Sequence, residues 1–155
     1  MNILSTQYTL SRKSLEIYLA GCKGDNGVHC TSCHNPETWC FNQGEEYNLE
    51  YASEIYAKVL RFSNIIDNIE IFGGEPNDQK HEELEMLLKD LKILNKKIWL
   101  FTRYEFKDLP KFELELCDYI KCGKYIPELA TDNNIQYGIK LATSNQRIYK
   151  KDIDY

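Results

Sequence analysis

Cys22-Lys-Gly-Asp-Asn-Gly-Val-His-Cys30-Thr-Ser-Cys33 gathers three of the chain's six cysteines into one short stretch, spaced C-x7-C-x2-C. Ahead of it, Ser14-Leu-Glu-Ile-Tyr-Leu-Ala-Gly21 reads as a buried strand that delivers the cysteines to a loop. Three thiolates on one loop are the donors an iron–sulfur cluster takes. Three ligands to a cubane of four irons leave one iron open to bind something else. The same cysteines suit zinc, which takes a fourth ligand, and Cys40 or His34 stands near enough in sequence to be that ligand. They also allow cysteines with no common task. Spacing alone leaves these readings open.

Working outward, the loop runs from 22 to about 40, and the polar stretch 42–48 connects it to a helix. Ala52, Ile55, Tyr56, Val59 and Leu60 recur at helical spacing and predict that helix from about 51 to 63, with one buried face. Ile69-Glu-Ile-Phe72 is a short strand ended by Gly73-Gly74. A second helix is expected from about 79 to 95, with Leu84, Leu87, Leu88, Leu91 and Leu94 as its buried stripe. Lys97–Phe101 is a third strand, Glu113–Leu116 a helical turn and Tyr119–Cys122 a fourth strand. In the polar tail the apolar run Ile139–Ala142 is the candidate last strand.

Strands alternating with helices of about a dozen residues argue for βαβ units, hence an α/β fold with a mostly parallel sheet. Four or five strands are too few to close a barrel of the eight-stranded kind. With right-handed crossovers the expectation is an open, curved partial (βα) barrel. Ligands of open α/β sheets lie beyond the carboxyl ends of the strands. The cysteine loop after the first strand and the Gly73–Pro76 turn after the second therefore share one rim.

A chain of 155 residues is most simply one domain. Apolar residues make up 43% of it, enough for a core. A net charge of −5 argues against a nucleic-acid partner. No apolar run approaches a membrane span, and the first residues lack a secretion pattern. Six cysteines then read as metal or redox groups in a reducing cytoplasm rather than as disulfides.

Further landmarks are Cys33-His-Asn-Pro-Glu-Thr-Trp39, Asn68-Ile-Glu-Ile-Phe-Gly-Gly-Glu-Pro76, Asp118-Tyr-Ile-Lys-Cys-Gly-Lys-Tyr125 and Ser144-Asn-Gln-Arg147. With Gly21-Cys22 and the cysteine loop they resemble, in order and over most of the chain, the radical S-adenosylmethionine (SAM) enzymes. Within these they resemble the small activating enzymes of glycyl radical enzymes, in particular the branch serving anaerobic ribonucleotide reductases. Two departures stand out. The family's usual loop is C-x3-C-x2-C, and here the first gap is seven residues, Lys23–His29. The position before the third cysteine, often aromatic in the family and near the adenine, is Ser32.

The resemblance implies a partial barrel of four to six mostly parallel strands and a 4Fe–4S cluster held by Cys22, Cys30 and Cys33. It implies reductive cleavage of SAM and hydrogen abstraction from a backbone glycine of a partner protein. That partner would be the large subunit of an anaerobic ribonucleotide reductase, with flavodoxin or ferredoxin as a low-potential electron donor. Other glycyl radical enzymes are alternative partners. A zinc-stabilised binding module using Cys40 as fourth ligand is the alternative from another class.

For SAM, the resemblance points to Gly73, Gly74, Glu75 and Pro76. Glycines let a backbone approach a ligand closely, and carbonyls with a carboxylate suit an ammonium. Asn35, two residues past the last ligand, is a further candidate. So are Thr102 and Arg103 at the end of the third strand, and Lys121 in an otherwise apolar strand. Cys40 is expected to be a spare thiol, Cys117 and Cys122 small core residues, and Trp39 a core aromatic.

Overall fold

A computed structural model describes residues 1–155 of the chain except Ser32. The elements in order are β1 (Asn2–Thr9), β2 (Ser14–Leu19), β3 (Glu45–Glu46), α1 (Leu49–Arg61), β4 (Asn68–Gly73), α2 (His81–Lys92), β5 (Lys97–Phe101), α3 (Lys111–Leu116), β6 (Tyr119–Cys122), β7 (Ile135–Gln136), β8 (Ile139–Lys140) and β9 (Arg147–Lys150). Among the described residues one sheet has the order β3-β1-β2-β4-β5-β6-β9, and β7 pairs with β8 apart from it. β2, β4, β5 and β6 run parallel. β1 and β9 flank this centre antiparallel, and β3 is antiparallel to β1. The outcome is a mixed α/β fold with a parallel heart, and the helices link its parallel strands.

Alternation along the strands divides the sheet into two faces. Leu15, Ile17, Leu19, Ile69, Ile71, Ile98, Leu100 and Ile120 join a single core with Ala52, Ile55 and Val59 of α1 and Leu84, Leu87, Leu88 and Leu91 of α2. Asn48 caps α1, its side chain accepting from the Glu50 and Tyr51 N–H groups. The opposite face carries Glu16, Tyr18, Glu70, Phe72, Trp99, Phe101 and Lys121. There Arg12 pairs with buried Glu70 at 2.8 Å and lies over the Trp99 ring. Phe72 and Phe101 stack with centroids 4.1 Å apart. Truncating a core leucine such as Leu87 to Ala is expected to cost about 2–5 kcal/mol, read as a shifted urea midpoint.

Several expectations need correction. The main sheet has seven strands among the described residues, not four to six, because both edges gain antiparallel partners. β1 escaped the sequence reading: of its residues Ile3 alone is buried, and the rest are mostly polar, so no apolar alternation marks it. The last strand is β9 rather than Ile139–Ala142, where pairing is limited to two residues. β9 is an edge strand, with Ile148 as its buried anchor. Leu60 is 64% exposed although it keeps helical spacing, because the buried stripe of α1 is narrow. The first strand ends at Leu19, and Gly21 with φ +109 turns the chain out of the sheet.

Candidate functional site

Past β2, the Gly21 N–H donates to the Thr38 carbonyl (2.6 Å) and the Cys22 N–H to the Trp39 carbonyl (3.1 Å). The two ends of the cysteine loop are thereby laid side by side. The turn after β4 is bound to the same place. Gly74 N–H donates to Leu19 O (2.9 Å) and Glu75 N–H to Gly21 O (2.8 Å). The Gln79 amide donates to the carbonyls of Ala20 (3.1 Å) and Gly21 (3.2 Å). Lys23 N–H donates to Asp78 Oδ2 at 2.6 Å. The cysteine loop and the glycine turn are one hydrogen-bonded unit at the carboxyl ends of β2 and β4.

A cavity of about 430 Å³ opens at this rim, in the size range of small-molecule sites. Cys22, Cys30, Cys33 and Asn35 line it from the first loop, and Gly73, Gly74 and Glu75 from the second. Thr102 and Arg103 after β5 and Lys121 of β6 complete the expected set. Pro76 is the exception. It is buried at the start of a short 3-10 turn, outside the cavity lining. Trp39, expected in the core, is half-buried and lines the cavity, with His29 stacked on it. Cys40, which the zinc reading needs, is exposed and outside the lining. Among the described residues no three His, Cys, Asp or Glu side chains gather in the manner of a single-ion site. The expectation resting on Ser32 lies outside the described residues.

The polar groups on this rim are largely committed to one another. Glu75 is 2% exposed. Its Oε1 accepts from the Thr102 hydroxyl (2.5 Å) and the Asn77 N–H (3.0 Å), and its Oε2 from the Arg103 N–H (2.8 Å). Burial raises its pKa despite these donors. Glu75, expected as an ammonium acceptor, also braces the β4 and β5 exits. Arg103 is likewise held, donating to Asp78 at 3.0 Å, with the Tyr104 hydroxyl on the same carboxylate. Asp78 thus ties the cysteine loop to the β5 exit, a role the sequence did not disclose. Asn77, Asp78 and Gln79 are polar residues in a turn, a pattern that ordinarily reads as solvated, yet all three are buried.

The two glycines also answer to the protein itself. A Cβ on Gly73, where φ is +110, would collide with the Leu19 backbone, and one on Gly74 with the Gly21 backbone. Their first task is the close approach of the two turns. Gln146 explains the late Ser144–Arg147 landmark. It accepts from the Ala142 N–H (3.0 Å), donates to Gly123 O (3.3 Å) and lines the cavity. Lys121 donates to the same carbonyl at 2.7 Å, and burial brings its pKa down to about 8.

Beneath the rim, Glu113 receives a 3.4 Å hydrogen bond from Asn77, and burial raises its pKa to about 8. A carboxyl held protonated by folding gives stability that is whole below its unfolded pKa and is lost as pH rises through about 8. Glu113→Gln should abolish that fall. Urea midpoints at about pH 5 and about pH 8.5 should separate clearly for the parent and by less for the variant, in which buried Glu75 and Glu70 still titrate.

The donor set fits an iron–sulfur cluster: three thiols border one cavity, with Lys121 and Arg103 on its wall to offset anionic charge. Comparison with known proteins agrees. A family model described as a 4Fe-4S single cluster domain matches residues 12–149. The chain is 28% identical over 138 residues to the anaerobic ribonucleoside-triphosphate reductase-activating protein of Enterobacteria phage T4, covering 86% of this chain and 81% of that protein. A stretch of 63 residues is 35% identical to the pyruvate formate-lyase-activating enzyme of Clostridium pasteurianum, 38% of this chain and 24% of that protein.

Proposed function

The chain belongs to the 4Fe-4S single cluster domain family, and from that premise we propose that it is a radical SAM activase that generates a glycyl radical on a partner protein. The observation that carries the reading is the shared wall of one cavity: Cys22, Cys30 and Cys33 face the Gly73–Gly74 turn at the ends of the parallel strands. The partner of choice is the large subunit of an anaerobic ribonucleotide reductase. The phage T4 relative is named as the activating protein of such a reductase and matches along most of both chains. The Clostridium relative is named as activating pyruvate formate-lyase, but it matches over a much shorter stretch.

In this reading the open sheet is a partial (βα) barrel of the radical SAM type, and the whole chain is one such domain. Cys22, Cys30 and Cys33 hold the cluster. The Gly73–Gly74 main chain, Asn35 and Lys121 meet SAM, while Glu75, Thr102 and Arg103 keep the turn in place. A cluster held there and reduced by a low-potential donor such as flavodoxin or ferredoxin would supply one-electron reducing power toward SAM. The chain's own residues orient SAM against the thiol-lined wall and exclude water with Trp39, Phe72 and Phe101. Lys121, a cation in a largely apolar wall, is placed to receive the carboxylate of SAM. Such chemistry belongs in a reducing, oxygen-free cytoplasm. Among the described residues no helix is long and apolar enough to cross a membrane.

The test is direct. Anaerobically reconstituted protein, given SAM and reductant, should form 5′-deoxyadenosine and methionine in equal amounts, measured by chromatography. Lys121→Met should weaken SAM binding by about ten- to a hundredfold, the loss expected for an unpaired buried carboxylate. Absence of 5′-deoxyadenosine from a protein with a full cluster would overturn the reading.

A further inference from the structure

The seven residues between Cys22 and Cys30 are the chain's main departure from a compact cysteine loop. Their fold accounts for it. Asp25 N–H donates to Val28 O (2.8 Å) and Val28 N–H to Asp25 O (3.0 Å). Between them Asn26 and Gly27 take φ +51 and +83. Two positive φ values on an Asn-Gly pair make a type I′ turn, the favoured two-residue reversal. The chain therefore leaves at Gly24 and returns at His29 nearly to the same point. A Cβ on Gly24 would lie 2.9 Å from the His29 nitrogen. Asp25–Val28 adds length to the sequence and little to the distance between the cysteines. Among the described residues its long-range tie is Asp25 to Lys124, which joins two half-exposed side chains and is worth little as a surface pair.

What closes the gap is His29. Its Nε2 donates to the Cys22 carbonyl at 2.9 Å. Its ring stacks on Trp39 with centroids 4.0 Å apart and planes 9° from parallel. Trp39 in turn accepts the Cys22 N–H at its own carbonyl. The first ligand and the residue preceding the second are thus docked on one another and on a single tryptophan. His29 itself is outside the cavity lining, so it acts through its neighbours.

On the reading that these cysteines hold a cluster, we infer that His29 is a positioning residue that sets Cys22 against Cys30, while Asp25–Val28 is a detachable turn with no part in ligation. Outer-shell contacts of this kind typically carry ten- to a hundredfold in metal retention.

Three variants of the full chain test the inference, each reconstituted anaerobically and checked by circular dichroism. His29→Ala should release iron to a chelator about ten- to a hundredfold faster than the parent and shift the cluster's midpoint potential. His29→Gln, which keeps an amide donor, should recover part of that loss. Deleting Asp25–Val28, which leaves Cys22-Lys-Gly-His-Cys, should keep the parent's iron content and release rate. Parent-like iron release from His29→Ala overturns the inference, as does a folded deletion variant that binds no iron. Should both His29 variants fail to fold, the deletion decides. A parent protein that binds no iron would instead overturn the cluster reading, and the inference with it.

Discussion

Cys22→Ala, Cys30→Ala and Cys33→Ala should each give a folded, colourless protein, while Cys40→Ala should stay brown with about four irons and four sulfides per chain. The contrast follows from position. The first three cysteines border one cavity, and Cys40 is exposed away from it. A cubane bound by three thiolates loses a corner with any of them, and the lining offers no further thiol to replace it. None of the three belongs to the main core, so the fold should survive and far-UV circular dichroism should be unchanged. Burial raises the Cys22 thiol pKa, while the Gly24 N–H directed at its sulfur lowers it. Cluster assembly must drive that proton off, so loading should improve with pH. Iron and sulfide analysis checks each variant. Loss of metal from Cys40→Ala, with zinc in the parent, would favour the zinc module instead.

Gly73→Ala should be severely destabilising, costing about 3 kcal/mol or more. The position has φ +110, which an L side chain resists, and the added carbon meets the Leu19 backbone rather than a yielding side chain. Gly74→Ala meets the Gly21 backbone, one residue from Cys22, and should loosen the cluster loop as well as the fold. Against a typical stability of about 5–15 kcal/mol, Gly73→Ala should show a markedly lower urea midpoint. A parent-like midpoint would mean that the two turns are not packed this closely.

Those glycines show where the sequence is legible and where it is not. Gly-Gly after a strand marks a close approach, but the sequence does not say whether ligand or chain does the approaching. Here the chain does so first. Apolar periodicity located α1 and α2 because each buries one stripe, and β4, β5 and β6 stood out as short, largely apolar runs. It missed β1 and β9 because each flanks the parallel centre with one fully buried residue, Ile3 or Ile148, which leaves no apolar alternation to read. The cysteines, Gly73–Glu75, Thr102, Arg103 and Lys121 line one cavity, a grouping legible in the sequence because strand order puts their loops on one rim. Asp78, Gln79 and Gln146 were not found. Their hydrogen bonds join segments distant in sequence, and a buried amide in a loop looks like any solvated one. Trp39 was misplaced because an aromatic residue gives no sign of whether it faces a core or a cavity.

The central claim is that the radical made here passes to a backbone glycine of a partner. Glycine suits as the target, since no side chain blocks its Cα and the flanking amides delocalise the radical. The most direct measurement is electron paramagnetic resonance on this protein mixed anaerobically with SAM, reductant and the anaerobic ribonucleotide reductase of the same cell, its glycines deuterated at Cα. The expected result is the doublet of a glycyl radical in the undeuterated control, its collapse on deuteration, and deuterium in the 5′-deoxyadenosine formed. 5′-Deoxyadenosine without deuterium, and no glycyl signal from this or any other glycyl radical enzyme of that cell, would contradict the claim.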